Sequence, residues 1–124
     1  MDTHAIAWWI LADPRLSKSA HAWIADDENE VFVSAASAWE IATKERVGKP
    51  LGVNTIGPQF LDLIAADGFT ALPITHRHAI AAGVHPAAHR DPFDRLLAAQ
   101  AVMEGLTLVS RDGAFEGLGI RPVW

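Results

Sequence analysis

Three short runs rich in β-branched and aromatic residues constrain this chain most: residues 30–34 (EVFVS), 69–74 (FTALPI) and 106–110 (LTLVS). Each is a strand by composition, and helix-length segments separate them. Strands joined through helices must pair in parallel with right-handed crossovers, which predicts an α/β fold with a parallel sheet. Sheets of this kind present ligand sites at the carboxyl ends of their strands. The chain's 124 residues suffice for one domain with a real core, so residues 1–124 are read as a single domain.

The helices carry their own punctuation. Residues 3–12 form an apolar helix stopped at Asp13-Pro14, and residues 16–25 a second with Leu16, Ala20, Trp23 and Ile24 on one face. Ser34 or Ser37 caps a helix reaching Val47, with Gly48 beyond its end. Residues 49–57 read as a loop, and Pro58 as the first residue of a helix ending near Asp67-Gly68. Thr75 caps a short helix to Gly83, and residues 84–90 form a loop holding His85 and His89. Asp91 caps a helix from Pro92 to Gly105. After the LTLVS run, Asp112-Gly113 turns the chain, and residues 120–123 are a candidate last strand.

Composition removes several classes of function. With no cysteine there is no disulfide, thiolate metal site or Cys nucleophile, which fits a reducing cytoplasm. No apolar run approaches the roughly 18 residues of a membrane helix, and no basic stretch precedes residues 5–12 as a signal peptide needs. A net charge of −5 argues against broad adhesion to nucleic acid, although a site built of carboxylates is acidic until cations reverse its field. Neither a G-x-S-x-G elbow nor a G-x-x-x-x-G-K-[ST] loop is present, and the D-x-D-x-T motif of phosphatases is missing.

Four carboxylates stand near strand ends or helix starts. Asp2 precedes the first helix, Glu40 follows the EVFVS strand, Asp94 opens the Pro92 helix and Asp112 follows the LTLVS strand. With parallel strands all four converge on one sheet edge. Crowded carboxylates repel, and hard divalent cations held by oxygen relieve that repulsion, so the set suits Mg²⁺ or Mn²⁺. Two such ions roughly 4 Å apart can activate a water and stabilise a leaving oxygen in phosphodiester hydrolysis. Each acid also has a structural use. Asp94 lies three residues after Asp91 and Glu40 three after Ser37, both capping-box spacings; Asp112-Gly113 is turn chemistry; Asp2 is an N-cap or a frayed end.

The motifs at these positions resemble a known family. The opening MDTHAIAWWI, the stretch VFVSAASAWEIATKERVGK, the ALPIT segment, HRDPFDRLLAAQAVMEGLTLVSRD and the terminal RPVW are similar to the PIN domain in the form found in VapC-type toxins. The resemblance implies a PIN-like α/β/α sandwich. It implies a Mg²⁺- or Mn²⁺-dependent endoribonuclease, acting as a bacterial toxin and restrained by a VapB-type antitoxin. Matched one at a time, Asp2 is the first acid (D-T-H), Glu40 the second (W-E-I), Asp94 the third (D-P-F-D) and Asp112 the fourth (S-R-D). Ser110 stands where the family often has Thr. A catalytically weak PIN module that binds antitoxin or RNA is the alternative.

One departure is large. The resemblance implies an apolar first strand, central in a sheet of order 3-2-1-4-5, that delivers the first acid. Only Met1 precedes Asp2, so that strand is truncated here. Its loss leaves two neighbours without a hydrogen-bonding partner and puts Asp2 on a fraying terminus. The expectation is a native start site upstream, with weak or absent nuclease activity in the short form.

Around the acids, Arg90, Arg95 and Arg111 are candidate contacts for RNA phosphates, as are Lys44, Arg46 and Lys49 at the end of the Glu40 helix, or these cations form a solvated face. His4 neighbours Asp2, either tuning it, touching substrate or packing. His76, His78, His85 and His89 read as exposed or capping side chains. Trp8, Trp9, Trp23 and Trp39 lie in apolar helices and read as core or partner interface in preference to base stacking, and the surface of residues 3–23 is the candidate homodimer contact.

Overall fold

In a computed structural model, residues 1–49, 51 and 56–124 are described. The elements run α1 (Thr3–Ile10), α2 (Lys18–Ala25), β1 (Phe32–Ser34), α3 (Ala35–Arg46), α4 (Ile56–Ala66), β2 (Thr70–Leu72), α5 (His76–Val84) and α6 (Pro92–Glu104), then a 3-10 turn over Gly113–Leu118. Local chemistry sets most boundaries. Asp2, Ser17, Ser34, Thr75 and Asp91 each cap a helix by accepting a backbone N–H. Gly105 ends α6 at φ 66°, in the left-handed region where a side chain is strained.

β1 and β2 pair in parallel, Phe32 opposite Thr70 and Ser34 opposite Leu72, as the alternation of elements predicts. Successive residues on a strand point to opposite faces, and the two faces of β1 meet different helices. Val33 packs into a cluster with Ile6, Ile24, Ile41, Phe60 and Ile64. Ser34 instead turns to α6, where its hydroxyl donates to Gln100 Oε1 while accepting from the Ala36 amide at 2.9 Å. Leu108 and Val109 divide in the same way. Leu108 joins Leu97, Phe115 and Leu118, and Val109 packs on the first cluster. Helices therefore cover both faces, giving a PIN-like α/β/α arrangement.

The sheet is shorter than the sequence predicts. The LTLVS run makes a single parallel bridge, Val109 to Val123, in place of a strand over residues 106–110, and residues 120–123 contribute only that bridge. The cause is the space between β1 and residues 106–109. Among the described residues Met1 and Asp2 reach into it: the Met1 amine donates to Phe32 O at 3.4 Å, and the Asp2 amide to Val109 O at 3.0 Å. Beyond Met1 the two edges enclose a cavity of about 220 Å³. With no continuous strand joining them, the halves of the sheet do not form one ladder.

Other boundaries shift by a few residues. α1 stops at Ile10 because Ala12 turns out at φ 49°, and Ser17 makes α2 start at Lys18. The predicted loop over residues 49–57 falls largely on residues 50 and 52–55, outside the described residues. α4 already begins at Ile56, leaving Pro58 in its first turn, where a missing N–H breaks no intrahelical bond.

Ser34 joins a cap to an inter-layer contact, so its loss should be felt twice. Ser34→Ala removes the α3 cap and leaves the buried Gln100 oxygen unpaired, a cost of about 2–4 kcal/mol. The expected result in urea unfolding is a lower midpoint with an unchanged slope.

Candidate active site

Asp2 is fixed more firmly than its place in the chain predicts. It is only 5 % exposed. Its carboxylate accepts the Ala5 amide at 2.7 Å, capping α1, and accepts the Ser110 hydroxyl on its other oxygen. Together with the amide bond to Val109 O, these contacts replace the expected frayed end by an anchored one. The same Ser110 hydroxyl accepts the Asp112 amide at 3.0 Å, so one buried serine ties the first acid to the backbone of the fourth. Asp112 itself is exposed, and its carboxylate caps the 3-10 turn through the Ala114 amide at 2.8 Å.

Glu40 and Asp94 form the other half. Because Ser34 and not Ser37 caps α3, Glu40 lies beyond the first turn, and the capping-box use suggested by S-x-x-E spacing is not realised. Ser37 instead accepts the Thr3 hydroxyl at 3.1 Å, holding the start of α1 against the helix face that carries Glu40 one turn later. Glu40 is buried and pairs with Lys44 at 2.6 Å. Asp94, in the first turn of α6, is half-buried, and His89 Nε2 donates to its Oδ2 at 2.8 Å. Burial raises the Asp94 carboxyl above its ordinary value; the His89 bond opposes this, while the negative charges of Asp91 and Glu40 add to the rise.

Asp2 is thus linked to Ser110 and Asp112, and Glu40 acts electrostatically on Asp94. Among the described residues, no three His, Asp or Glu side chains stand at metal-holding range of one point. The donor chemistry nevertheless fits a hard cation. Mg²⁺ takes oxygen ligands, needs only one or two carboxylates and keeps waters for the rest. A half-buried Asp94 under pressure from neighbouring acids is a carboxylate that a cation would relieve.

A PIN domain model matches residues 1–120. The chain belongs to the PIN domain family. No curated protein and no solved structure matched it. The family gives the protein a nuclease-type, hydrolytic function at the coarse level, and PIN nucleases use divalent metals and handle nucleic acid. No helix among the described residues is long and apolar enough to cross a membrane.

The flanking residues divide by what they touch. Arg95, grouped by sequence with candidate phosphate contacts, gives all five guanidinium N–H groups to the carbonyls of Ala82, Gly83, His85, Ala87 and His89. It holds the loop that presents His89 to Asp94. Arg90 is exposed, and Arg111 lies over the Trp8 ring at 4.8 Å. His4 is exposed and also rests on Trp8, with ring centroids 5.7 Å apart. His78 is buried: its Nδ1 accepts the Thr75 amide, and its Nε2 donates to Glu104 at 2.8 Å.

Sequence reasoning missed His89 as the partner of Asp94. The signal was its position two residues before the Asp91 cap, where the chain folds back over the first helical turn and can reach the third helical residue. It also read Trp39 as core or partner interface; the indole is 54 % exposed and so lies outside the core, meeting Phe93 edge-on at 4.7 Å.

The Asp94 shift fixes a pH dependence. The folded state binds this proton more tightly than the unfolded chain does. Its stabilising contribution is therefore full below the ordinary carboxylate range and is lost as pH rises through the folded Asp94 value. In EDTA, the stability of the wild type minus that of Asp94→Asn should fall through this window, as read from urea midpoints at successive pH values. A flat or rising difference would contradict the assignment.

Proposed function

We propose that this PIN domain is a Mg²⁺- or Mn²⁺-dependent endoribonuclease that hydrolyses RNA phosphodiester bonds through Asp2, Glu40, Asp94 and Asp112. The observation that carries the reading is the half-buried Asp94, raised chiefly by burial with the charges of Asp91 and Glu40 adding to it, in a chain whose PIN match spans residues 1–120. Divalent ions, when bound, supply an ionised water and neutralise charge on the leaving oxygen.

The side chains have distinct tasks in this reading. Asp2 and Asp94 are the principal metal ligands, with Glu40 and Asp112 completing the acidic set. Ser110 fixes the rotamer of Asp2, and His89 orients Asp94. Lys44 pairs with Glu40 at 2.6 Å, and a cation held by Glu40 would take over that neutralisation. Arg90 and Arg111 hold RNA phosphates, and His4 lies beside the first acid. The resemblance of the WEI, DPFD and SRD segments to VapC-type toxins supports a toxin role, with a VapB-type antitoxin as inhibitor. Absence of cysteine supports a cytoplasmic setting. Exposed Trp23 and Leu11 on α2 and just after α1 support a homodimer through that surface.

A second reading is a catalytically weak PIN module that binds RNA or antitoxin. The Glu40–Lys44 ion pair, with no three acids at metal range among the described residues, favours it.

Purified protein with RNA separates the two. Cleavage should appear with Mg²⁺ or Mn²⁺, cease in EDTA and return on adding the metal. Removing an outer-shell partner of a metal ligand costs about 10–100-fold, so His89→Ala should lose activity on that scale and Asp94→Asn at least about 100-fold. RNA left intact in both metals would favour the binding module.

A further inference from the structure

Trp39 is the largest apolar side chain on the described surface beside the acids, and the core leaves it out. The buried face of α3 is made by Ala36, Ser37, Glu40 and Ile41, so the indole projects from the other side. It is braced there by Phe93 of α6, with ring planes 65° apart, an edge-on contact that steadies the indole without covering it. The two rings immediately precede Glu40 and Asp94 in the chain. The aromatic pair therefore bridges α3 and α6 one residue before each of those two acids. Along the exposed face of α3, Thr43 and Arg46 follow Trp39 at four and seven residues, one above the other. Arg46 is exposed, at the far end of this stripe.

We infer that Trp39, held by Phe93, is a stacking platform for an unpaired RNA base next to the carboxylate site, with Arg46 reaching a phosphate farther along the strand. The inference rests on the nuclease reading for the location of the scissile phosphate. A free indole face takes any base through its π surface, and a cation about two helical turns away suits a backbone that continues past the stacked base. A paired base inside a duplex is already stacked on both sides and presents no such face. The platform thus selects single-stranded or bulged RNA. It also gives an acidic protein an uncharged means of holding a polyanion.

The test is fluorescence anisotropy at low salt in EDTA, where no hydrolysis intrudes. The probes are a dye-labelled single-stranded RNA 12-mer of mixed sequence and the blunt duplex of the same sequence. Trp39→Leu should weaken binding of the single strand about 5- to 100-fold and leave the duplex unchanged, while Trp39→Phe stays within about 3-fold of wild type. The single strand should also quench tryptophan emission in the wild type and not in Trp39→Phe. Equal affinity of wild type and Trp39→Leu for the single strand overturns the inference, as does failure of the wild type to bind it. Unchanged RNA affinity with weaker self-association of Trp39→Leu in sedimentation assigns the ring to a protein contact and overturns it as well. Cleavage assays separate this from the parent reading. Cleavage by the wild type with an unchanged KM in Trp39→Leu sinks the platform alone. Trp39-dependent binding without cleavage in Mg²⁺ or Mn²⁺ sinks the nuclease alone.

Discussion

The hydroxyl of Ser110 joins the two ends of this chain. It donates to the Asp2 carboxylate and accepts the Asp112 amide, while the backbone of Asp2 is held by Val109. A buried carboxylate without partners is expensive, and at a chain end it would ordinarily swing into water. Here the α1 cap and the serine satisfy it in place. That anchorage fixes the start of α1, from which the Thr3 hydroxyl reaches Ser37 on the α3 face that carries Glu40.

The second half of the site is organised from a loop. Arg95 gathers the carbonyls of residues 82–89 and leaves His89 directed at Asp94. A guanidinium surrounded by carbonyl oxygens is rigid, because five donors in a fixed plane permit few arrangements. The consequence is an acid whose charge is opposed by burial and by its acidic neighbours. The family makes such an acid intelligible. PIN nucleases use divalent metals, and a cation beside Asp94 would relieve that opposition.

How much of this the sequence discloses depends on how local the cause is. α6 is legible in full, since Asp91, Pro92 and Gly105 mark its ends with side-chain and backbone chemistry of their own. β1 and β2 are legible at their centres for the same reason. The LTLVS run is not, because a strand exists only where a neighbour shares its hydrogen bonds, and among the described residues this run has the Val109–Val123 bridge and the Asp2 amide. The contacts of His89 and Arg95 are not legible, because they arise from a loop path that no periodicity encodes. Trp39 misled in the opposite direction. An apolar residue at helical spacing suggests a core, yet on α3 the inward face is made by Ala36, Ser37, Glu40 and Ile41, and the large ring is the one left outside.

The central claim is that acids from four separate stretches of chain answer to one metal site. Paramagnetic broadening by Mn²⁺ in a ¹⁵N–¹H spectrum addresses it without requiring activity. Sub-stoichiometric Mn²⁺ should first erase the amide signals of Thr3, Glu40, Asp94 and Asp112 together, while the acidic surface run at Asp26, Asp27 and Glu28 stays sharp. Broadening that begins at that run, or that reaches Asp94 and leaves Thr3 and Asp112 untouched, would contradict a shared site.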